Sequence, residues 1–185
     1  MIWLLDKGAM RVLTVFSLSP GSRLNRQSLK KQSMLSNVIL NKTLNKLVNT
    51  SILIKGKNLF ALNLASHDTN DIMKEVSNNY SNFRRLPLKE YFMLVDIIAE
   101  FMKLKGIGDV YLFGSYAKLV FRESSDIDLA FVSDNIQEKP LERIAAKLEK
   151  KYGKRIEIHT FSSKFYRSKR DPLVREILRD GIRIV

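Results

Sequence analysis

The sequence contains no cysteine and only two histidines, His67 and His159. Because disulfides, thiolate zinc sites and cysteine nucleophiles all require a thiol, the sequence excludes these three kinds of site. Two histidines are too few for a histidine-rich metal cluster. Any bound metal is therefore expected to be a hard ion that oxygen atoms hold.

Long apolar runs are also absent, since no run approaches the roughly 18 residues needed to span a membrane. Residues 1–5 are apolar, but Asp6 and Lys7 interrupt them and no basic leader precedes them, so we expect no secretory signal. Hydrophobic residues make up 45% and charged residues 28%, a balance typical of soluble globular proteins. Together with the missing cysteines, these features predict a cytoplasmic protein without a membrane partner.

The net charge of +13 is distributed unevenly along the 185 residues. Residues 1–65 hold ten Lys or Arg and one acid, Asp6, which gives 10 − 1 = +9. The remaining 120 residues hold 22 bases and 18 acids, which gives 22 − 18 = +4. This asymmetry predicts two domains with different roles and favours a polyanionic partner, above all nucleic acid. The alternative is a basic surface that only keeps the protein soluble.

The first 65 residues have the pattern of a winged helix-turn-helix domain. Apolar spacing predicts helices over 7–17, 24–32 and 36–49, followed by short strands at 52–54 and 59–62 with a basic turn between them. The third helix of such a domain enters the major groove, and the hairpin contacts phosphates. The residues predicted to contact nucleic acid are Asn37, Asn41, Lys42, Asn45 and Lys46 on the helix, and Lys55 and Lys57 on the hairpin. The alternative is a packing or dimerisation module.

Two helical segments follow. Residues 66–87 predict an amphipathic connecting helix that Pro87 stops, and residues 88–104 predict a longer helix that opens a second domain, 88–185. We expect an α+β protein whose second domain is a mixed β-sheet flanked by helices.

The second domain carries the residues suited to catalysis. A predicted strand at 109–113 runs into Gly114 and Ser115, and ten residues later Asp126 and Asp128 begin another strand. Side chains two apart on a strand share a face, so the two carboxylates are expected side by side. Their repulsion is costly unless a cation offsets it, and Mg²⁺ suits such ligands. Glu157, on a third predicted strand, could complete the site.

Gly114 and Ser115 have the features of a phosphate-binding turn. Glycine lets the backbone approach a phosphate closely, and Ser115 with the following helix start supplies N–H and O–H donors. Gly-Ser alone is uninformative, but Gly-Ser followed at this distance by Asp-Ile-Asp on a strand is a specific signal.

These residues resemble the DNA polymerase beta-like nucleotidyltransferases, particularly the small minimal proteins of archaea and bacteria. The family pattern is a hydrophobic residue, Gly-Gly/Ser, roughly ten residues, then Asp-hydrophobic-Asp/Glu-hydrophobic. Phe113-Gly114-Ser115 and Asp126-Ile127-Asp128-Leu129 match it in order and spacing. The resemblance covers about residues 88–185, and the N-terminal part is similar to the winged helices fused to such domains in archaea.

The resemblance implies transfer of a nucleoside monophosphate from an NTP, with ATP expected, to a hydroxyl of a protein or nucleic acid. Gly114, Ser115 and Lys118 would bind the triphosphate. Asp126, Asp128 and Glu157 would hold two Mg²⁺ ions, or Mn²⁺ in their place, with Glu157 helping to activate the acceptor. Proteins of this family commonly pair with a HEPN-type protein, which is therefore an expected partner.

This sequence departs from the family pattern at two positions. Leu119 stands where the family usually has glycine after the Gly-Ser-x-Ala turn, and the third acid is Glu157 rather than the more frequent Asp. The second hypothesis is therefore a non-catalytic DNA-binding regulator, or an antitoxin, whose transferase domain only binds nucleotide.

Seven further residues are secondary candidates for substrate contact. His159 could touch a phosphate, although an exposed strand histidine is the simpler interpretation. For three aromatic residues core packing competes with base stacking, and for three basic residues a solvated turn competes with binding of the acceptor. These six are Phe161, Phe165 and Tyr166, and Arg167, Lys169 and Arg170.

Overall fold

The computed structural model describes residues 6–184 and divides into two compact units, Met1–Phe92 and Met93–Val185. Helices and β-sheets are both present, which confirms the predicted α+β class. The stretch considered for a secretory signal, residues 1–5, lies outside the described residues.

The first unit contains four helices and a three-stranded antiparallel sheet of order β1-β3-β2. Its elements are α1 (Lys7–Ser17), β1 (Leu24–Asn25), α2 (Arg26–Ser33), α3 (Asn37–Asn49), β2 (Leu53–Gly56), β3 (Leu59–Leu62) and α4 (His67–Asn82). Polar side chains begin the first three helices: those of Asp6, Asn25 and Ser36 accept backbone N–H groups from the first turn. The helix predicted over 24–32 begins only at Arg26, because Leu24 and Asn25 form β1, and two residues are too few to show the alternation of a strand.

One apolar core holds this unit together. Phe16, Leu40 and Leu47 are fully buried, and Met73 and Val76 of α4 belong to the same core. The segment predicted as a connecting helix therefore packs on the first unit, because its apolar stripe is covered there. The division between the units falls inside α5 (Leu88–Phe101), a few residues beyond the predicted boundary at 87/88. The winged-helix assignment of residues 1–65 stays a prediction.

The second unit contains a four-stranded sheet of order β6-β5-β4-β7. Its elements after α5 are β4 (Asp109–Phe113), α6 (Gly114–Ala117), β5 (Ile127–Val132), α7 (Glu138–Tyr152), β6 (Ile156–Phe161), a 3-10 helix (Ser163–Arg167), α8 (Pro172–Asp180) and β7 (Ile182–Arg183). Strands β5 and β6 are parallel, whereas β4 is antiparallel to both β5 and β7. The sheet is therefore mixed, as predicted.

Both faces of this sheet are covered. On one face, Tyr111 and Phe113 pack with Val174 and Ile177 of α8. On the other, the ring of Phe131 lies 5.1 Å from that of Phe101 in α5. Because side chains alternate along a strand, the face covered by α8 also receives Asp128.

Within residues 6–184, no helix combines the length and the apolar character that crossing a membrane requires.

Candidate active site

The candidate site lies where β4 ends and β5 begins. The antiparallel register places Phe113 opposite Asp128, and the parallel register places Asp128 opposite Glu157. Residues paired across neighbouring strands share a face, so the carboxylates of Asp128 and Glu157 lie side by side. Nε2 of His159, two residues along the same face, is 3.6 Å from Oε1 of Glu157. The structure thus brings together two of the three predicted acids and adds a histidine.

The carboxyl of Asp128 has a raised pKa in this cluster. Burial is the largest cause that raises the pKa of its carboxyl to about 6, and the negative charges of Glu157, Asp126 and Glu176 act in the same direction, whereas His159 lowers it. A half-buried carboxyl among other acids is costly to ionise. Such groups are typical of sites that receive a cation or a proton.

Asp126 was predicted to be the first residue of a strand, but it lies one residue before strand β5. Strand β5 begins at Ile127, whose N–H donates to the carbonyl of Arg155 at 2.9 Å. The predicted start at residue 126 was therefore wrong by one position, because the β-ladder starts only where β6 offers a partner. Oδ2 of Asp126 is 3.7 Å from Nη1 of Arg155, and the side chain is 35% exposed. Its charge nevertheless contributes to the raised pKa of Asp128.

The Gly114 turn packs directly against the central carboxylate. Gly114 has φ +65°, and a Cβ at this position would overlap the carboxylate of Asp128. Only glycine therefore allows both this conformation and this approach. Ser115 follows at the first turn of α6, where it is partly exposed. The turn that was predicted to hold phosphate thus lies beside the carboxylate that was predicted to hold metal.

The buried side chain of Tyr116 stabilises this turn. It is fully buried, and its ring stacks on Phe121 with centroids 4.5 Å apart. Its hydroxyl is one of two buried side-chain polar atoms without a partner in the described part of the chain. The stacking holds α6 and the following loop together.

Lys118 is already engaged by two acids that the sequence analysis did not single out. Its Nζ lies 2.6 Å from Oε1 of Glu176 and 3.7 Å from Oδ2 of Asp180, both on α8. The hydrogen bond to Glu176 raises the pKa of Lys118. The spacing of Glu176 and Asp180, one helical turn apart, could have shown that they share a face, but not which lysine they meet.

Leu119, which stands where the family usually has glycine, has a left-handed backbone conformation. Its φ is +60°, in the left-handed region that glycine favours. The backbone strain of this left-handed position therefore falls on Leu119.

The donor chemistry of the site suits Mg²⁺, since Asp126, Asp128 and Glu157 are all carboxylates. Within residues 6–184, however, no three acidic or histidine side chains are placed to hold one ion together. The structure pairs Asp128 with Glu157 across neighbouring strands, whereas the carboxylate of Asp126, two residues before Asp128, is turned towards Arg155.

Of the secondary candidates, His159 lies beside Glu157, and the others are exposed or pack in the core. Phe165 is buried and packs against Tyr111 and Phe161, with ring centroids 5.7 and 4.9 Å away. The hydroxyl of Tyr166 donates to Asp109. Arg167, Lys169 and Arg170 are exposed.

The predicted nucleic-acid surface of the first unit is exposed but not bare. Asn37, Asn41, Lys42, Asn45, Lys46, Lys55 and Lys57 all lie on the surface. Lys46 forms an ion pair with Asp6 at 2.8 Å, and Arg26 donates to the side-chain oxygens of Asn37 and Asn41. Arg26 is thus a surface residue that the sequence analysis missed, because nothing in the sequence places it beside α3.

Comparison with known proteins bears on the second unit. The family described as "Polymerase beta, Nucleotidyltransferase" matches residues 96–185, so this stretch is similar to the nucleotidyltransferase domains of that family. No curated protein matches the chain. Among solved structures, the crystal structure of a mutant toxin–antitoxin MntA-HpeT is similar, with 14% identity, 50% of this chain and 69% of that chain covered, and a TM-score of 0.35. A likeness this weak supports no conclusion about function.

Proposed function

We propose that the second unit transfers a nucleoside monophosphate from an NTP, with ATP the first candidate, to a hydroxyl group of a protein or nucleic acid. The observation that carries this proposal is the contact between Gly114 and Asp128. It puts a backbone suited to phosphate directly beside a carboxylate suited to a cation. The family match over residues 96–185 supports the same class of reaction.

The chain's own groups would divide the work as follows. The N–H groups and hydroxyl of the Gly114–Ser115 turn bind the triphosphate, and Asp126 and Asp128 would hold Mg²⁺, or Mn²⁺, with Glu157 as the third ligand. Two such ions would neutralise the phosphate charge and polarise the reacting oxygens. The acceptor oxygen bonds to the α-phosphorus, the bond to the bridging oxygen breaks, and pyrophosphate leaves. Glu157 receives the acceptor's proton.

Lys118 has a conditional place in this scheme. Its side chain is 37% exposed and its ammonium is shared by Glu176 and Asp180, so it contacts the triphosphate only if those pairs open. We therefore assign it a supporting role, below that of the Gly114–Ser115 turn.

Binding by calorimetry tests the proposal at its first step. We expect each NTP to bind more tightly with Mg²⁺ than in EDTA, and Asp128→Asn to remove that difference. Glu142→Gln, an exposed change on α7 of the same unit, is the matched control and should retain it. Two results would contradict the metal-dependent site. One is an NTP affinity that is the same with and without Mg²⁺, and the other is an affinity that neither Asp126→Asn nor Asp128→Asn changes.

For the first unit we propose a winged helix-turn-helix that binds nucleic acid or a partner protein. Its +9 charge and its exposed Asn and Lys side chains support this assignment. A HEPN-type protein is the partner class that the sequence resemblance implies.

A second candidate function is a non-catalytic DNA-binding regulator or antitoxin with a degenerate site. Two observations favour it: Lys118 is already paired, and the described acids do not form a three-ligand group. Incubation with each labelled NTP, Mg²⁺ and total cell protein or RNA separates the two functions. Labelled product that requires Asp128 supports the enzyme, and nucleotide binding without product supports the regulator.

A further inference from the structure

On the surface of the first unit, the guanidinium group of Arg26 links helix α2 to helix α3. Nε of Arg26, the first residue of α2, donates to Oδ1 of Asn41 at 2.8 Å. Nη2 of the same side chain donates to Oδ1 of Asn37 at 3.1 Å. Asn37 and Asn41 are one turn apart at the start of α3. All three side chains are exposed, so burial does not force this arrangement.

The identity of Arg26 fixes the orientation of both amides. A guanidinium only donates hydrogen bonds, so each asparagine must turn its oxygen towards Arg26. The amide nitrogen, with its two N–H donors, is then the end of each side chain that faces away from Arg26. Of the five N–H groups of a guanidinium, two are used here, and three remain for another acceptor.

The surroundings indicate what those donors would meet. Val38, which is 79% exposed, lies between the two asparagines in the sequence, and Lys42 and Asn45 continue the exposed face of α3. Amide N–H groups pair with purine N7, guanine O6 or thymine O4 in the major groove, and a small apolar group suits the thymine methyl. The spare donors of an arginine beside them suit a backbone phosphate.

We infer that Arg26 is the positioning residue of a base-reading surface for duplex DNA. It contacts a phosphate and at the same time holds Asn37 and Asn41 so that their amide nitrogens face the base edges. This inference rests on the proposed DNA-binding role of the first unit and deepens it. Duplex RNA is the disfavoured ligand, because its major groove is too deep and narrow for side chains to read.

The test uses the full chain and a randomised duplex DNA library, from which bound sequences are enriched and sequenced. The enriched duplex and a scrambled duplex of equal composition are then titrated with wild type, Arg26→Lys and Arg26→Ala. Arg26→Lys keeps the charge but cannot clamp both amides, so we expect it to bind the scrambled duplex normally and to lose roughly tenfold or more of its preference. Arg26→Ala should lose the preference and also weaken binding to both duplexes.

Arg23→Ala is the matched control. Arg23 is also an exposed arginine near the start of α2, so its replacement by alanine removes the same charge. It should weaken binding to both duplexes by the same factor. Thermal unfolding of each variant shows whether the fold is intact, and Arg26→Lys should match wild type.

Each failure has its own meaning. If wild type binds no duplex DNA at low salt, both the proposed DNA-binding role and the inference fall. If wild type binds with a preference that Arg26→Lys retains, only the inference is overturned. Binding without any sequence preference, or equally tight binding of duplex RNA of the same sequence, also overturns it.

Discussion

Gly114 packs directly against Asp128: the carboxylate of Asp128 lies where a Cβ on Gly114 would be. The strand register leaves Asp128 no other location, because it lies opposite Phe113, the residue before Gly114. The phosphate-binding turn and the central acid of the proposed site are therefore fixed relative to one another by backbone geometry.

Replacement of Gly114 by alanine should damage both stability and nucleotide binding. Gly114→Ala adds a clash with Asp128 to the cost of φ +65°, and we expect a loss of roughly 2–4 kcal/mol of unfolding free energy. Gly153→Ala is the control, since φ is +64° there but the space is open, so its loss should be about 1 kcal/mol. Urea unfolding compares them. Equal losses would show that Asp128 moves aside.

Asp128 should destabilise the protein above about pH 6 when no cation is present. Its folded pKa of about 6 exceeds the ordinary 3.8, so the native state binds more protons in that interval and stability falls as pH rises through it. Asp128→Asn should therefore stabilise the protein by about 1–2 kcal/mol at pH 7.5 in EDTA, and the gain should vanish below about pH 4.

Asp134, in the same unit, provides a control for which the expected change in stability has the opposite sign. The backbone N–H of Ser163 lowers the pKa of Asp134, which stabilises the fold above the ordinary pKa. Asp134→Asn should therefore lower the melting temperature at pH 7.5, where Asp128→Asn raises it. A melting temperature for Asp128→Asn below that of wild type at this pH would contradict the described cluster.

Glu157 should contribute to turnover more than to folding. Glu157→Gln keeps the shape and removes the proton acceptor, so nucleotide binding should largely persist while labelled product forms roughly 100-fold more slowly. Glu142→Gln should leave the rate unchanged. Full activity in Glu157→Gln would leave acceptor activation to other groups.

Leu119 should be replaceable by glycine with a gain in stability. The left-handed conformation at φ +60° costs a leucine roughly 1 kcal/mol more than glycine, and the side chain is 46% exposed, so little apolar contact is lost. We expect Leu119→Gly to raise the melting temperature by a few degrees. Val120→Gly, at the next position without a positive φ, should lower it. A lower melting temperature for Leu119→Gly would show that its apolar contacts outweigh the strain.

The hairpin lysines should control the salt dependence of nucleic-acid binding. Lys55 and Lys57 are exposed beside the β2–β3 turn, and each phosphate contact adds about one unit to the slope of log affinity against log salt. Lys55→Ala combined with Lys57→Ala should reduce the slope for duplex DNA by roughly two. Lys139→Ala, an exposed lysine of the second unit, should not change it. An unchanged slope in the double variant would remove the hairpin from the interface.

The sequence alone determined the elements whose signals are local. Helix α1 and strands β3 and β4 have the predicted bounds, because apolar spacing and turn residues depend only on neighbours along the chain. The Gly114–Ser115 turn and the pair Asp126 and Asp128 were likewise visible as a motif, since their spacing is fixed by one strand–turn–strand unit.

Only the tertiary structure decided which distant residues share a surface. It placed Glu157 beside Asp128 through a parallel register, Glu176 against Lys118, and Arg26 against α3. It also assigned α4 to the first unit, because an amphipathic helix shows that it has an apolar face but not which core covers that face. Contacts between residues far apart in sequence depend on how the elements pack, and no local pattern encodes that packing.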